Sequence, residues 1–311
     1  MAGRGELTGR MAHTGEIAAL MTAVFWTVTA LSFEAASKRI GSLAVNILRL
    51  AVGFIILSIF NWIWRGYLLP ADASARTWFY LVLSGLVGFA FGDLCLFQAF
   101  VVIGARISML LMALSPPITA LIGWIILGET LTLQSWLGMA LTFAGIALVV
   151  LKREDTPRNG LIKKVKFSYP LWGILLGLGG AVGQGAGLVL SKLGMGDYNA
   201  FASSQIRVLA GIIGFAVLFT FLGSWKNVAR GFKNPKALFQ LSTGAFFGPF
   251  LWVSFSLISV QHTSTGIAST IMSIVPILII PPSIILFREK VTIKEVAGAF
   301  LAVGGVALFF L

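Results

Sequence analysis

Two carboxylates, Glu34 and Asp93, sit in or at the end of long apolar runs in this 311-residue chain. An acid in such a run is costly, so it marks a binding or proton-relay role unless a neighbour neutralises it. Glu34 could hold a cation or a coupling proton. It could equally pair with Lys38, four residues on, with the acid N-terminal as that pairing prefers. Asp93, in GDLCLF, lies too deep to snorkel to an interface; it could pair with Arg49 or Arg106, or line a cavity with Gln98. Arg49 and Arg207 read as structural anchors, long basic side chains near helix ends that reach headgroups. Glu129 and Glu289 fall in turns, where a cap or loop contact is expected.

Other residues shape a site rather than react in it. Pro116, with Pro117, and Pro276, with Pro281 and Pro282, break apolar runs and free backbone carbonyls that a cavity or a neighbouring helix must satisfy. Gly179, Gly183 and Gly187 share one helix face, a seam for close packing, with Gln184 beside it to hydrogen-bond across helices or touch a ligand. Trp26, Trp252 and Phe250 could wall a cavity or pack against lipid. His13 and His262 are the only histidines and Cys95 the only cysteine, so no metal-ligand or Cys/His nucleophile pattern exists, and no cofactor is implied.

The elements that carry these residues are membrane helices. Hydrophobic residues make up 58% of the chain and charged ones 11%, with apolar runs of bilayer length separated by short polar breaks. The runs are continuous rather than alternating, which favours helices over barrel strands. Ten spans are expected, near 16–36, 43–65, 77–101, 105–127, 133–151, 170–192, 200–222, 237–259, 265–287 and 292–311. The net charge of +12 resides mostly in loops beside the spans, so it reads as an orientation signal rather than a nucleic-acid footprint.

The longest polar break separates two copies of one pattern. A shift of 160 positions aligns 112–151 with 272–311 without a gap, giving 11 identities in 40 positions. They include Pro116 with Pro276, Glu129 with Glu289, Thr132 with Thr292, Gly138 with Gly298 and Gly145 with Gly305. A shift of 158 pairs Arg49 with Arg207. Five spans per copy is an odd number, so the second copy must begin on the opposite side of the membrane. The expected fold is all-α and integral to the membrane, ten transmembrane helices in two inverted five-helix repeats. The divisions are an N-terminal tail over 1–15, repeats over 16–151 and 170–311, and a central loop over 152–169.

The stretch SPPITALIGWIILGETLT from Ser115 to Thr132, followed by Gly138 and Gly145, and its echo from Val275 through Glu289 and Thr292 to Gly305, resemble a ten-span transporter of the drug/metabolite transporter superfamily, EamA type. Arg49 and Arg207 resemble the arginine that opens the second span of each family repeat, and Trp26 resembles the first-span tryptophan. The resemblance implies a central cavity lined mainly by the first, third and fourth spans of each half, with metabolites, amino acids or drugs as exported solutes. Glu34 departs from the pattern, standing where the family commonly has a basic residue eight positions after that tryptophan.

The expected function is secondary transport of a small organic solute, as an exporter with alternating access and proton coupling through Glu34 or Asp93. No nucleotide-binding loop is present to drive it otherwise. A membrane-embedded enzyme and a facilitative uptake carrier are the alternatives. Loop charge, sixteen basic residues against five, places both termini outside the cytoplasm in a plasma (inner) membrane, whether the chain starts at Met1 or Met11. The expected partners are the bilayer and the solute, with no nucleic acid.

Overall fold

The computed structural model describes residues 2–127, 131–154, 164–223, 225–231, 233–262, 268 and 271–310. Glu129 and the middle of the central loop, 155–163, lie outside the described residues. Helix α1 (Ala2–Ile40) and α2 (Ser42–Arg65) are followed by α3 (Ala75–Gly85), a π-helical segment π1 (Leu86–Gly92) and α4 (Asp93–Met112). Then come α5 (Ser115–Leu127) and α6 (Leu133–Val150). The two ends of the central loop pair as a short antiparallel ribbon, β1 (Leu151–Glu154) with β2 (Lys164–Phe167). The second half comprises α7 (Leu171–Met195), α8 (Ala200–Leu222), α9 (Trp225–Gly231), α10 (Pro235–Ala245), π2 (Phe246–Trp252) and α11 (Val253–His262). It ends with α12 (Val275–Leu278), α13 (Ile280–Phe287) and α14 (Ile293–Phe310).

Among the described residues, seven helices are long and apolar enough to cross a membrane, with a shorter apolar helix over Val275–Phe287. One of the seven is the continuous run Ala75–Met112, in which Gly104 turns the chain at φ 79°, a conformation that favours glycine. This break falls between the two spans the sequence suggests there. Side-chain caps fix other helix starts: the Ser74 hydroxyl accepts from the Thr77 amide at 3.1 Å, and the Asn199 side chain accepts from Phe201 and Ala202. The repeated threonines are caps as well. Thr132 accepts from the Ser135 amide at 3.1 Å, while Thr292 and Glu295 form a reciprocal capping box.

Packing recurs at the register of the repeat. The segments π1 and π2 begin 160 positions apart, and each crosses a first helix of the other half at glycine. A Cβ on Gly183 of α7 would come within 2.4 Å of Gly92 Cα, and one on Gly248 within 2.8 Å of Thr29 in α1. Helices α6 and α14 meet through Gly138, Gly145, Gly298 and Gly305; a Cβ on Gly145 would sit 2.5 Å from the Ala302 backbone nitrogen. Small residues let these backbones approach where apolar lipid offers no hydrophobic drive to association. Fully buried Phe33, Phe89, Phe97 and Phe100 fill the centre. Large apolar side chains such as Ile63, Phe221 and Ile285 point outward, as a lipid-facing surface requires.

Candidate functional site

A cavity of about 130 Å³ lies where both halves meet. At the ~10–15 Å³ that one water needs, it has room for about ten waters. The helix breaks build its wall. The chain turns at Ala113–Leu114 and α5 restarts with Pro116 and Pro117 in its first turn; 160 positions on it turns at Ser273–Ile274 and α12 restarts with Pro276. Proline costs nothing in a first turn, where its missing N–H would have no intrahelical partner. Pro116 and Pro276 both line the cavity.

Trp26 of α1 and Trp252 of π2 also line it, stacked on each other with ring centroids 3.8 Å apart and planes 21° from parallel. Phe250, by contrast, packs among Phe60, Phe201 and Phe246, away from the wall. Trp26 lies 12 residues from Thr14 and 14 from Ile40, the ends of its span, and Gln184 lies 13 from Leu171 and 11 from Met195. The cavity therefore sits near mid-depth of the helices that form it.

Behind the wall is a buried charge cluster. Arg49 donates to Asp93 through Nη2 and to Asn46 through Nε at 3.1 Å, and its guanidinium lies 4.5 Å from the Phe97 ring centroid. Gln184 completes the shell, its Nε2 donating to the second Asp93 oxygen at 2.7 Å, and it also lines the cavity. Asp93 thus takes Arg49, not Arg106, as its partner. The expectation that Arg49 and Arg207 reach headgroups fails: they are 2% and 4% exposed. Both enter the bundle about two helical turns from a helix start, where surrounding helices close over them. Arg207 lines the cavity, its guanidinium 4.8 Å from the Phe89 ring centroid and its Nε without a hydrogen-bond acceptor among the described residues.

Three other expected residues stand outside the wall. Asp93 is held behind Gln184, Gln98 accepts a hydrogen bond from Ser42 at 2.6 Å, and Glu34 pairs with Lys38 at 2.6 Å. Glu34 belongs to a polar cluster at one end of the bundle. Its Oε1 and that of Glu289 lie 3.6 and 3.5 Å from where a Gly104 Cβ would be. Arg106 donates to Glu289 at 2.8 Å and contacts Glu295 at 3.0 Å, and Tyr169 donates to Glu295 at 2.5 Å. Burial and this bond to a carboxylate push the Tyr169 hydroxyl well above its ordinary pKa.

At the opposite end, Arg65 and Tyr198 both donate to Asp72, at 2.6 and 2.8 Å. Burial and the Asp72 bond push the Tyr198 hydroxyl up to about 12. For Asp72, burial acts upward, but Tyr198 and Arg65 outweigh it and hold the carboxyl below the usual range.

Sequence reasoning missed Met109, Met112, Met272, Thr119 and Ser256 in the wall. Met112 and Met272 were detectable: they are the first identity of the 160-position repeat.

Comparison with known proteins places this geometry. An uncharacterized transporter in the cobO 3' region of Sinorhizobium sp is 30% identical over 139 residues, 45% of this chain and 98% of that protein. The uncharacterized transporter YetK of Bacillus subtilis (strain 168) is 33% identical over 125 residues, 39% of this chain and 36% of that protein, so the match spans about a third of YetK. One solved crystal structure shares the fold at TM-score 0.62 and 14% identity, over 95% of this chain and 96% of that one. The EamA-like transporter family matches residues 13–151 and again 171–311, and this multi-pass membrane protein belongs to that family.

Proposed function

We propose that the chain is a secondary transporter of small organic solutes, ten spans in two inverted repeats, which presents its mid-depth cavity alternately to the two sides of a plasma (inner) membrane. One observation carries this reading: the cavity is walled by equivalent positions of both halves, Met112 with Met272 and Pro116 with Pro276, next to an ion-pair cluster that ties the halves together at one end. Rocking of one half on the other would break that cluster and open the cavity there. The recurrence of the π segments and of the glycine contacts supports a pseudo-two-fold relation between the halves.

Export, with both termini outside the cytoplasm, completes the proposal; loop charge supports the orientation. Coupling to a proton gradient belongs to it too. Asp93 reaches the wall through Gln184, and Glu34 adjoins the Arg106 cluster, so protonation of either acid would alter contacts that define a conformation.

Purified protein in proteoliposomes, offered amino acids, sugars and cationic and anionic organic solutes, tests the proposal by flux. Saturable flux of at least one class is expected, driven by a pH gradient in the native chain and uncoupled in Glu34→Gln or Asp93→Asn. Absence of flux across the panel overturns transport. Flux that ignores the gradient in the native chain makes it a facilitative carrier.

A further inference from the structure

We infer that the solute is a small organic monoanion with a flat apolar body, its carboxylate held by Arg207 and its body by Trp26, Trp252, Met112 and Met272. The inference rests on the transport reading and adds a substrate class to it. Among the described residues Arg207 is the charged side chain of the cavity wall, with the Arg49–Asp93 pair behind it. Asp93 is committed to Arg49 and Gln184. Among the described residues no carboxylate oxygen comes within 4.0 Å of the Arg207 guanidinium. Asp93 acts on Arg207 only at a distance, so this positive charge, 4% exposed and facing a cavity, has no contacting counter-ion among the described residues. Burial of an unpaired ion in a bilayer-embedded bundle is strongly unfavourable, and an anion arriving in the cavity removes that cost.

The repeat explains why the two arginines differ. Arg49 and Arg207 occupy corresponding positions, but the position that corresponds to Asp93 is Val253. The first half carries its own counter-ion and the second does not. A guanidinium offers two parallel N–H donors, a match for a carboxylate. The rest of the wall is mostly apolar, and the stacked Trp26–Trp252 pair and the polarisable Met112 and Met272 suit a planar hydrocarbon face. Among the described residues the wall contains no acidic side chain to receive an ammonium group, so a zwitterion or a cation would enter with an unpaired charge.

The test is equilibrium binding to the full chain in nanodiscs by scintillation proximity, with four tritiated probes of one shape: phenylacetate, phenylacetamide, phenylalanine and phenethylammonium. Phenylacetate is expected to bind at least about tenfold more tightly than each of the others, about the effect of one charge-assisted hydrogen bond. Arg207→Gln should bring its binding down to the amide level, and Arg207→Lys should retain part of it. Equal or tighter binding of the amide, the amino acid or the cation overturns the inference, as does undetectable binding of phenylacetate at millimolar concentration. So does unchanged phenylacetate affinity in an Arg207→Gln protein that elutes as a native monodisperse peak. If that variant does not fold, the four-probe comparison on the native chain decides alone. Flux separates the two claims: transport of neutral or cationic solutes without phenylacetate binding leaves a transporter and removes the anion, whereas Arg207-dependent binding without any flux removes transport.

Discussion

Arg106 donates to Glu289 at 2.8 Å and touches Glu295 at 3.0 Å, so one guanidinium just beyond the Gly104 turn fastens the first half to the turn and helix start that close the second. Tyr169 adds a second bond to Glu295, from the start of α7. These groups are only partly exposed, so the pairing is less screened than a surface ion pair.

Removing the guanidinium should therefore open this end. With Cys95→Ser as background and Thr119→Cys as a reporter in the cavity wall, Arg106→Gln is expected to speed reaction with a membrane-impermeant maleimide applied from that side. Coupling of ~1–3 kcal/mol, usual for such switches, corresponds to about 5–150-fold. An unchanged labelling rate would show that the cluster does not seal the cavity.

The Arg49–Asp93 pair predicts a stability effect that depends on which partner is lost. Asp93→Asn leaves a buried guanidinium uncompensated and should cost ~3–5 kcal/mol. Adding Arg49→Met should recover much of that loss, because the pair as a whole is replaced by packing. Thermal denaturation in detergent of both single variants and the double variant measures it; additive losses would contradict the pairing.

Two neighbouring positions in α14 should respond oppositely to the same change. A Cβ at Gly305 would meet the Thr142 backbone nitrogen at 2.4 Å, whereas one at Gly304 meets nothing within 4 Å. Gly305→Ala is expected to destabilise by ~1–3 kcal/mol through overpacking against α6. Gly304→Ala should be neutral or stabilise by up to ~1 kcal/mol through helix propensity. Melting temperatures of the two variants distinguish this from a general intolerance of α14.

Acid should loosen the end of the bundle held by Asp72. Its carboxyl titrates below the ordinary range in the folded chain, so its bonds to Arg65 and Tyr198 contribute fully above the ordinary carboxylate pKa. That contribution is lost as pH falls through the lower folded value. Because the pair is partly exposed, ~0.2–1 kcal/mol is expected. Native chain and Asp72→Asn should then differ in melting temperature at pH 7 and converge below about pH 3. A difference that persists in acid would sink the assignment. Tyr198, pushed up to about 12, keeps its donor proton through ordinary alkaline pH.

Hydropathy and repetition alone determined that this is a membrane protein of helical spans, that its prolines break the apolar runs, that one span ends near 101 and the next begins near 105, and that a pattern recurs 160 positions on. These are properties of local sequence, because length, apolarity and backbone freedom act within a few residues. Lys38 as the partner of Glu34 was legible for the same reason, four residues away on one helix. Trp26, Trp252, Gln184, Pro116 and Pro276 were recognisable as candidates, and all five line the cavity.

Only the tertiary structure decided which arginine Asp93 takes, that Arg106 turns instead to Glu289 and Glu295, and that Arg207 faces the cavity rather than the headgroups. A side chain of either sign near a helix end looks the same in sequence whether lipid headgroups or another helix lies beside it. Its partner is fixed by how helices far apart in the chain cross, and here those crossings depend on glycine contacts between α7 and π1 and between α6 and α14.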